Sequence, residues 1–263
     1  MSRLDEETRR EAIYRALQRQ GEARGSDLAR QFGVSAVTIR KDLSALERRG
    51  VLIRVHGGAR RTATRDEGSF SFRLADAAPQ KRDIARRAAR LVHAGDTIAL
   101  DSSSSAHHLA EALIHLRDLV VVTNALPAAS LLLDRSDATV VLVGGPLRRS
   151  SRATMAGLDD ICFDRRVDIG FFGAHSVSAE QGAGEISADE ARSKQALVKL
   201  CDRIVLLADA SKMHGDSPHH WCQPTGVRRL VTDAGIPPDE VDRWRALGVT
   251  VDIPQPPSSR TTP

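Results

Sequence analysis

Two groups of residues in this sequence have types and spacings that could do chemistry. The first is Asp101-Ser102-Ser103-Ser104-Ser105, placed between the apolar run Thr97–Leu100 and a helical pattern over 106–116. Hydroxyls at a helix start, beside the N–H groups that a first turn leaves unpaired, make a cradle for a phosphate. Thr123-Asn124, Gly144-Gly145 and Asp209-Ala210-Ser211-Lys212 each follow a further apolar run in the same way. Glu190 and Lys194 stand at i and i+4, on one face of a helix over 187–201. The second group is Ser35-Ala36-Val37-Thr38-Ile39-Arg40-Lys41, where a capping serine opens a helix with cations in its early turns. Arg40, Lys41 and Thr38 there could read base edges, with Ser35 and Val37 close to the helix start.

The elements around the second group are those of a winged helix-turn-helix. Ser26 suits the N-cap of a helix whose apolar face is Leu28, Ala29 and Phe32, and Gly33 comes next, where a left-handed C-cap is wanted. Val37, Ile39, Leu43 and Leu46 recur at helical spacing to face a core. Residues 5–20 supply a supporting helix through Ile13, Ala16 and Leu17, and 51–55 is a β-branched run turned by His56-Gly57-Gly58. Arg54, His56, Arg60 and Arg61 fall on or beside that wing, and Arg54 and His56 are expected to hold DNA phosphates.

The elements around the first group alternate strand and helix. Pro79 opens a helix to 93 with Ile84, Ala85, Ala88, Leu91 and Val92 as its buried stripe and Lys81 leading toward the candidate cradle. Strands are expected at 97–100, 119–123, 139–143, 168–172, 203–208, 229–232 and 249–252, with helices between them at 106–116, 126–134, 154–164, 187–201 and 238–247. Such alternation implies a mostly parallel sheet covered by helices, whose ligands sit beyond the carboxyl ends of the strands. The segment from Gly173-Ala174-His175 through Gly182 and Gly184 reads as a loop. The expected organisation is a first domain at 1–59, a linker at 60–78, a second domain at 79–253, and a Pro/Ser/Thr-rich disordered tail at 254–263. Phe70 and Phe72 in the linker are expected to dock on the second domain.

Composition narrows the function. Residues 1–61 carry 14 Lys+Arg against 8 Asp+Glu, a charge of +6, whereas the rest carries 24 against 26, or −2. The basic excess thus sits where a polyanion would bind. Aromatics at 3% argue against single-strand binding by base stacking. The N-terminus has no apolar signal segment, and LVVVTNALPAASLLL is broken by Asn124 and Pro127 before it could span a membrane. Cys162, Cys201 and Cys222 are odd in number and widely spaced, as in a cytoplasmic protein with reduced thiols. His214, His219, His220 and Cys222 match no common zinc spacing, so neither metal nor cofactor is expected.

FGVSAVTIRKDLSALERRGVLIRVHGGA, residues 32–59, resembles the DNA-binding domain of the DeoR family of bacterial transcriptional regulators. GDTIALDSSSS, VVTNALPAA, VLVGGPLRR, LLADASK and LVTDAGI resemble, in order, that family's C-terminal sensor domain. The resemblance runs from about residue 5 to 253 and implies an α/β fold similar to sugar-phosphate isomerases and CoA-transferases. It also implies a double-stranded DNA operator, a phosphorylated sugar or related metabolite as effector, and a homodimer or homotetramer. The effector residues it suggests, together with the strand-end rule, are Lys81, Asp101, Ser103, Ser104, Ser105, Asn124, Gly144, Glu190, Lys194, Asp209 and Lys212. One departure stands out: the family pattern Asp-Ser-Gly-Thr-Thr is Asp101-Ser102-Ser103-Ser104-Ser105 here, which predicts a shifted loop for want of glycine at 103.

The leading reading is a repressor released by a phosphorylated sugar. A second reading is a sugar-phosphate isomerase using Asp101, Glu190 and Lys194 for proton transfer, although the isomerase relatives place carboxylates where this chain has Ala174-His175. A third keeps DNA binding and makes the second domain only an oligomerisation module.

Overall fold

The computed structural model describes residues 6–48, 52–61, 69–155, 157, 163, 165–213 and 215–254. The chain divides into two compact units, Met1–Asp76 and Ala77–Pro263. Cys162, His214, most of the helix expected at 154–164 and the tail after 254 lie outside the described residues.

The first unit runs α1 (Glu6–Gln20), β1 (Glu22–Arg24), α2 (Gly25–Phe32), α3 (Ala36–Arg48), β2 (Leu52–Val55), β3 (Gly58–Arg61) and α4 (Phe70–Ala75). Ile13, Leu17, Leu28, Ile39, Leu43, Leu46 and Leu52 form its core. β3 pairs antiparallel with β1 and β2, so the wing is a three-stranded sheet. Gly33 closes α2 at φ 63°, a left-handed cap that costs glycine nothing. The α2 N-cap position is Arg24 without a side-chain cap, and the expected Ser26 lies inside the helix. Phe72, expected in the linker, lies on α4, is buried in this first core, and meets Tyr14 edge-on with ring centroids 4.0 Å apart.

The second unit runs α5 (Ala78–Ala89), β4 (Thr97–Leu100), α6 (Ser104–Leu113), β5 (Val120–Thr123), α7 (Leu126–Arg135), β6 (Thr139–Leu142), β7 (Leu147–Arg148), β8 (Ala153–Thr154) and β9 (Ile169–Phe172). It continues with β10 (Ser176–Ser178), β11 (Gly182–Glu185), α8 (Ala188–Val198), β12 (Ile204–Leu207), β13 (His219–Cys222), β14 (Arg229–Val231), α9 (Pro238–Ala246) and β15 (Thr250–Asp252). Its centre is a seven-stranded sheet of order β15-β14-β12-β9-β4-β5-β6, parallel throughout. β9 and β12 are buried along their whole length, which is why they carry no charged or polar side chain. Successive residues serve opposite layers: Phe171 packs with α5, α6 and α7, and Phe172 with α8 and α9.

The segment read as a glycine loop is instead part of a second sheet, β10-β11-β13, antiparallel and packed on the α8 side. β7 and β8 form a small hairpin after the expected Gly144-Gly145 turn.

Candidate functional site

In α3, Ser35 caps the helix by accepting from the Thr38 N–H at 3.1 Å, and its hydroxyl lies 2.9 Å from that of Thr38. Arg40, Lys41 and His56 are exposed. Val37 is 62% exposed, so it does not face the core as its spacing suggested but stands beside the cations on the outer face. Arg54 is tied to that helix, donating from its guanidinium to the Ser44 hydroxyl at 3.1 Å and from its backbone N–H to Glu47 at 3.3 Å. What holds α3 from behind was missed by sequence reasoning. Asp42 is 1% exposed and takes Arg9 Nε at 2.6 Å and Arg10 Nε at 3.0 Å, both from α1.

In the second unit, strand order places Asp209, Gly173, Asp101, Asn124 and Gly144 side by side beyond the carboxyl ends of β12, β9, β4, β5 and β6. Asp101 is fully buried. It accepts from the Ser103 and Gly173 N–H groups, each at 3.0 Å, and from Lys194 Nζ at 2.8 Å. Lys194 also donates to Glu185 and to the Gly173 carbonyl, and its ammonium lies 5.3 Å from the centre of the Trp221 ring. Burial alone would depress this ammonium's pKa. Asp101 and Glu185, by charge and hydrogen bonding, outweigh that and raise it above the ordinary lysine value.

The expected Glu190–Lys194 pair is therefore absent. Glu190 faces Arg148 of the β7–β8 hairpin at 3.5 Å, and the partner of Lys194 is Glu185, which sequence reasoning missed. Glu185 lies on β11, in the stretch read as a loop, so nothing singled it out.

Ser103 sits at φ −75°, ψ 154°, in ordinary extended backbone that does not require glycine. Its hydroxyl caps α6 by accepting from the Ala106 N–H at 3.1 Å. Room for its side chain comes from across the sheet, since a Cβ at Gly173 would stand 2.5 Å from the Ser103 Cβ. Ser104 and Ser105 are buried in the first turn of α6, and among the described residues their backbone N–H groups and hydroxyls have no protein partner. Asn124 donates to the Thr154 carbonyl at 2.9 Å while its Oδ1, buried, accepts nothing among the described residues. Asp209 caps the short turn Ala210–Lys212 through one oxygen, and its buried Oδ2 has no partner among the described residues. Lys212 is half-buried in that turn, Gly144 is exposed after β6, and Lys81 is buried on α5. No group of three metal-ligating side chains occurs among the described residues, and no described helix is long and apolar enough to cross a membrane.

Residues 9–65 match the model of the DeoR-like helix-turn-helix domain and 76–234 that of the DeoR C terminal sensor domain. The chain is 31% identical over 247 residues, 92% of each protein, to a protein of Escherichia coli O157:H7 named provisionally as the aga operon transcriptional repressor. It is 29% identical over 231 residues to the glycerol-3-phosphate regulon repressor of Escherichia coli K12, covering 87% of this chain and 91% of that one. Among solved structures, ribose 5-phosphate isomerase A from Methanocaldococcus jannaschii aligns with 52% of this chain and 55% of its own, at TM-score 0.39 and 21% identity.

Proposed function

Because the chain belongs to the DeoR family of transcriptional regulators, we propose that it represses a sugar or carbohydrate operon and leaves its operator when a phosphorylated sugar binds the second unit. It works in the cytoplasm as a homodimer or homotetramer, with Ser35, Val37, Thr38, Arg40 and Lys41 in the major groove and Arg54 and His56 on phosphates. The observation that carries the effector reading is a complementarity at the carboxyl edge of the sheet. The first turn of α6 offers unpaired N–H and hydroxyl donors, while Asn124 Oδ1 and Asp209 Oδ2 are buried acceptors without donors. An anionic group suits the former and sugar hydroxyls the latter. Lys194 and Glu185 act here as positioning residues that hold Asp101, and through it the α6 turn, in place.

The test uses the full chain and a duplex selected from a random library by its binding. Phosphorylated sugars are then screened for release of that duplex and for a rise in melting temperature. A variant with Ser104→Ala and Ser105→Ala is expected to bind the duplex as before and to lose the response. Loss of duplex binding in that variant, while folded, sinks the site assignment. No response to any phosphorylated sugar would leave the second unit as an oligomerisation module.

A further inference from the structure

The opposite edge of the same sheet carries a second concentration of charge. A cavity of about 310 Å³ opens at the amino ends of the strands, lined by Arg90, His93, Arg203, Arg228 and Arg229 over an apolar floor that includes Ile169 and Val205. That volume lies within the range of small-molecule sites. No carboxylate lines it, although this part of the chain is net negative. The acidic groups nearby in sequence are engaged elsewhere. Asp96 accepts from the His93 N–H and Asp168 from the Thr97 N–H, each at 2.8 Å, and Asp202 pairs with Arg166. Asp252 is shared by Arg87 and by Arg229 of the cavity itself. Among the described residues Arg90, Arg203 and Arg228 have no carboxylate partner.

The sheet fixes the main chain at two of these arginines, and one guanidinium is tethered. The Arg203 carbonyl accepts from Gly170 N at 2.9 Å and its Nε donates to the Asp168 carbonyl at 3.3 Å. The Arg228 N–H donates to the Ile204 carbonyl at 2.9 Å and its carbonyl accepts from Thr250. Like charges gathered around one cavity repel, and a multiply charged anion would relieve that repulsion while taking forked guanidinium hydrogen bonds.

We infer that this cavity is a second anion site, taking a small molecule with two or more phosphate or carboxylate groups. It is separate from the carboxyl-edge site by the length of the strands, on the order of 13 Å for four residues. β12 and β9 thus run from one site to the other.

The probe is inorganic pyrophosphate, titrated calorimetrically into the full chain at fixed ionic strength in chloride. The wild-type protein is expected to bind it, and Arg203→Ala combined with Arg228→Ala to weaken binding by about tenfold or more. Both arginines are exposed, so the variant should fold, which its melting temperature without ligand checks. Arg245→Ala, an exposed charge on α9 that does not line the cavity, should leave binding unchanged. The component of binding that the arginine variant loses should persist in Ser104→Ala with Ser105→Ala, which alters only the other edge. Absence of binding in the wild type overturns the inference. So does an equal loss with Arg245→Ala, which would mean bulk charge, or a loss confined to the serine variant, which would place the anion at the other edge. Weakened duplex DNA binding with pyrophosphate binding intact would assign the guanidiniums to DNA phosphates and overturn it as well.

Discussion

Replacing Lys194 by methionine keeps the aliphatic volume and removes the ammonium that pairs with both Asp101 and Glu185. Both carboxyl groups are buried, 0% and 4% exposed, so solvent cannot take over the role of the ammonium. Removing one partner of a buried ion pair costs about 3–5 kcal/mol. The pH dependence makes the case specific. In the wild type, burial would lower the lysine pKa but the two carboxylates raise it. A raised lysine pKa contributes in full below the ordinary lysine value and fades only as pH climbs through the raised one. Between about pH 5 and 9 the wild type therefore owes none of its pH dependence to Lys194. In the variant the two buried carboxyls lose the Lys194 ammonium, which favours uptake of a proton on folding. Its stability should then fall as pH rises above the ordinary carboxylate range, by about 1.4 kcal/mol per pH unit for one proton. Urea denaturation at a series of pH values, followed by tryptophan fluorescence, reads this unit alone, because both tryptophans, Trp221 and Trp244, belong to it. A gap between variant and wild type that stays constant with pH would refute the coupling of Lys194 to these carboxyls.

Arg40→Ala is expected to weaken operator binding by about 1–3 kcal/mol and to relax sequence preference, whereas Lys41→Ala, if it serves a phosphate, lowers the salt slope by about one. Salt titrations of duplex binding separate the two, and unaltered affinity in both would remove α3 from the groove. Gly173→Ala drives a Cβ to 2.5 Å from that of Ser103. It should cost about 1–3 kcal/mol and blunt effector response, and Ser103→Gly in the same chain should restore both. Failure of that rescue would mean that the contact is not the cause. Asp42→Ala strips Arg9 and Arg10 of a buried partner and should destabilise the first unit by about 3–5 kcal/mol, with duplex affinity falling in step. Circular dichroism melts showing no early loss of helix would contradict that reading of the α1–α3 brace.

The winged helix-turn-helix was legible because its determinants are local. A capping serine at 35, a left-handed glycine at 33 and apolar spacing through Ile39, Leu43 and Leu46 act within a few residues of one another. Asp42 was a missed signal of the same kind, an acid between Leu43 and Ile39 on the core side that had to have a partner. The parallel sheet was legible because strands buried on both faces show as apolar runs. β11 was not, since GAGE has neither alternation nor β-branched residues. Its identity comes from partners far along the chain: Gly184 pairs with His220, and a Cβ there would meet the Ser217 Cβ at 2.6 Å. Glu185 was lost with that strand, and with it the reason why Lys194 is buried. The edge of the sheet could be inferred from chain order, but which charge answers which could not.

That exchange of partners changes what the carboxyl edge offers a ligand. An ammonium has three protons, and those of Lys194 meet Asp101, Glu185 and the Gly173 carbonyl, so none is left for an effector. Asp101, Glu185 and Lys194 together carry a net negative charge, which by itself disfavours a phosphate. The attraction has to come from the α6 first turn, whose unpaired N–H groups carry the positive end of the helix dipole. The rest of recognition then falls to acceptors, Asn124 Oδ1 and Asp209 Oδ2, each of which leaves about 1–3 kcal/mol unrecovered while it has no donor. A site built this way selects for hydroxyls in the right places as much as for charge. A deoxy analogue of a releasing sugar phosphate, compared with its parent in the same duplex-release assay, should be the weaker inducer, and inorganic phosphate alone weaker still; equal potency of all three would mean the orphaned acceptors take no part.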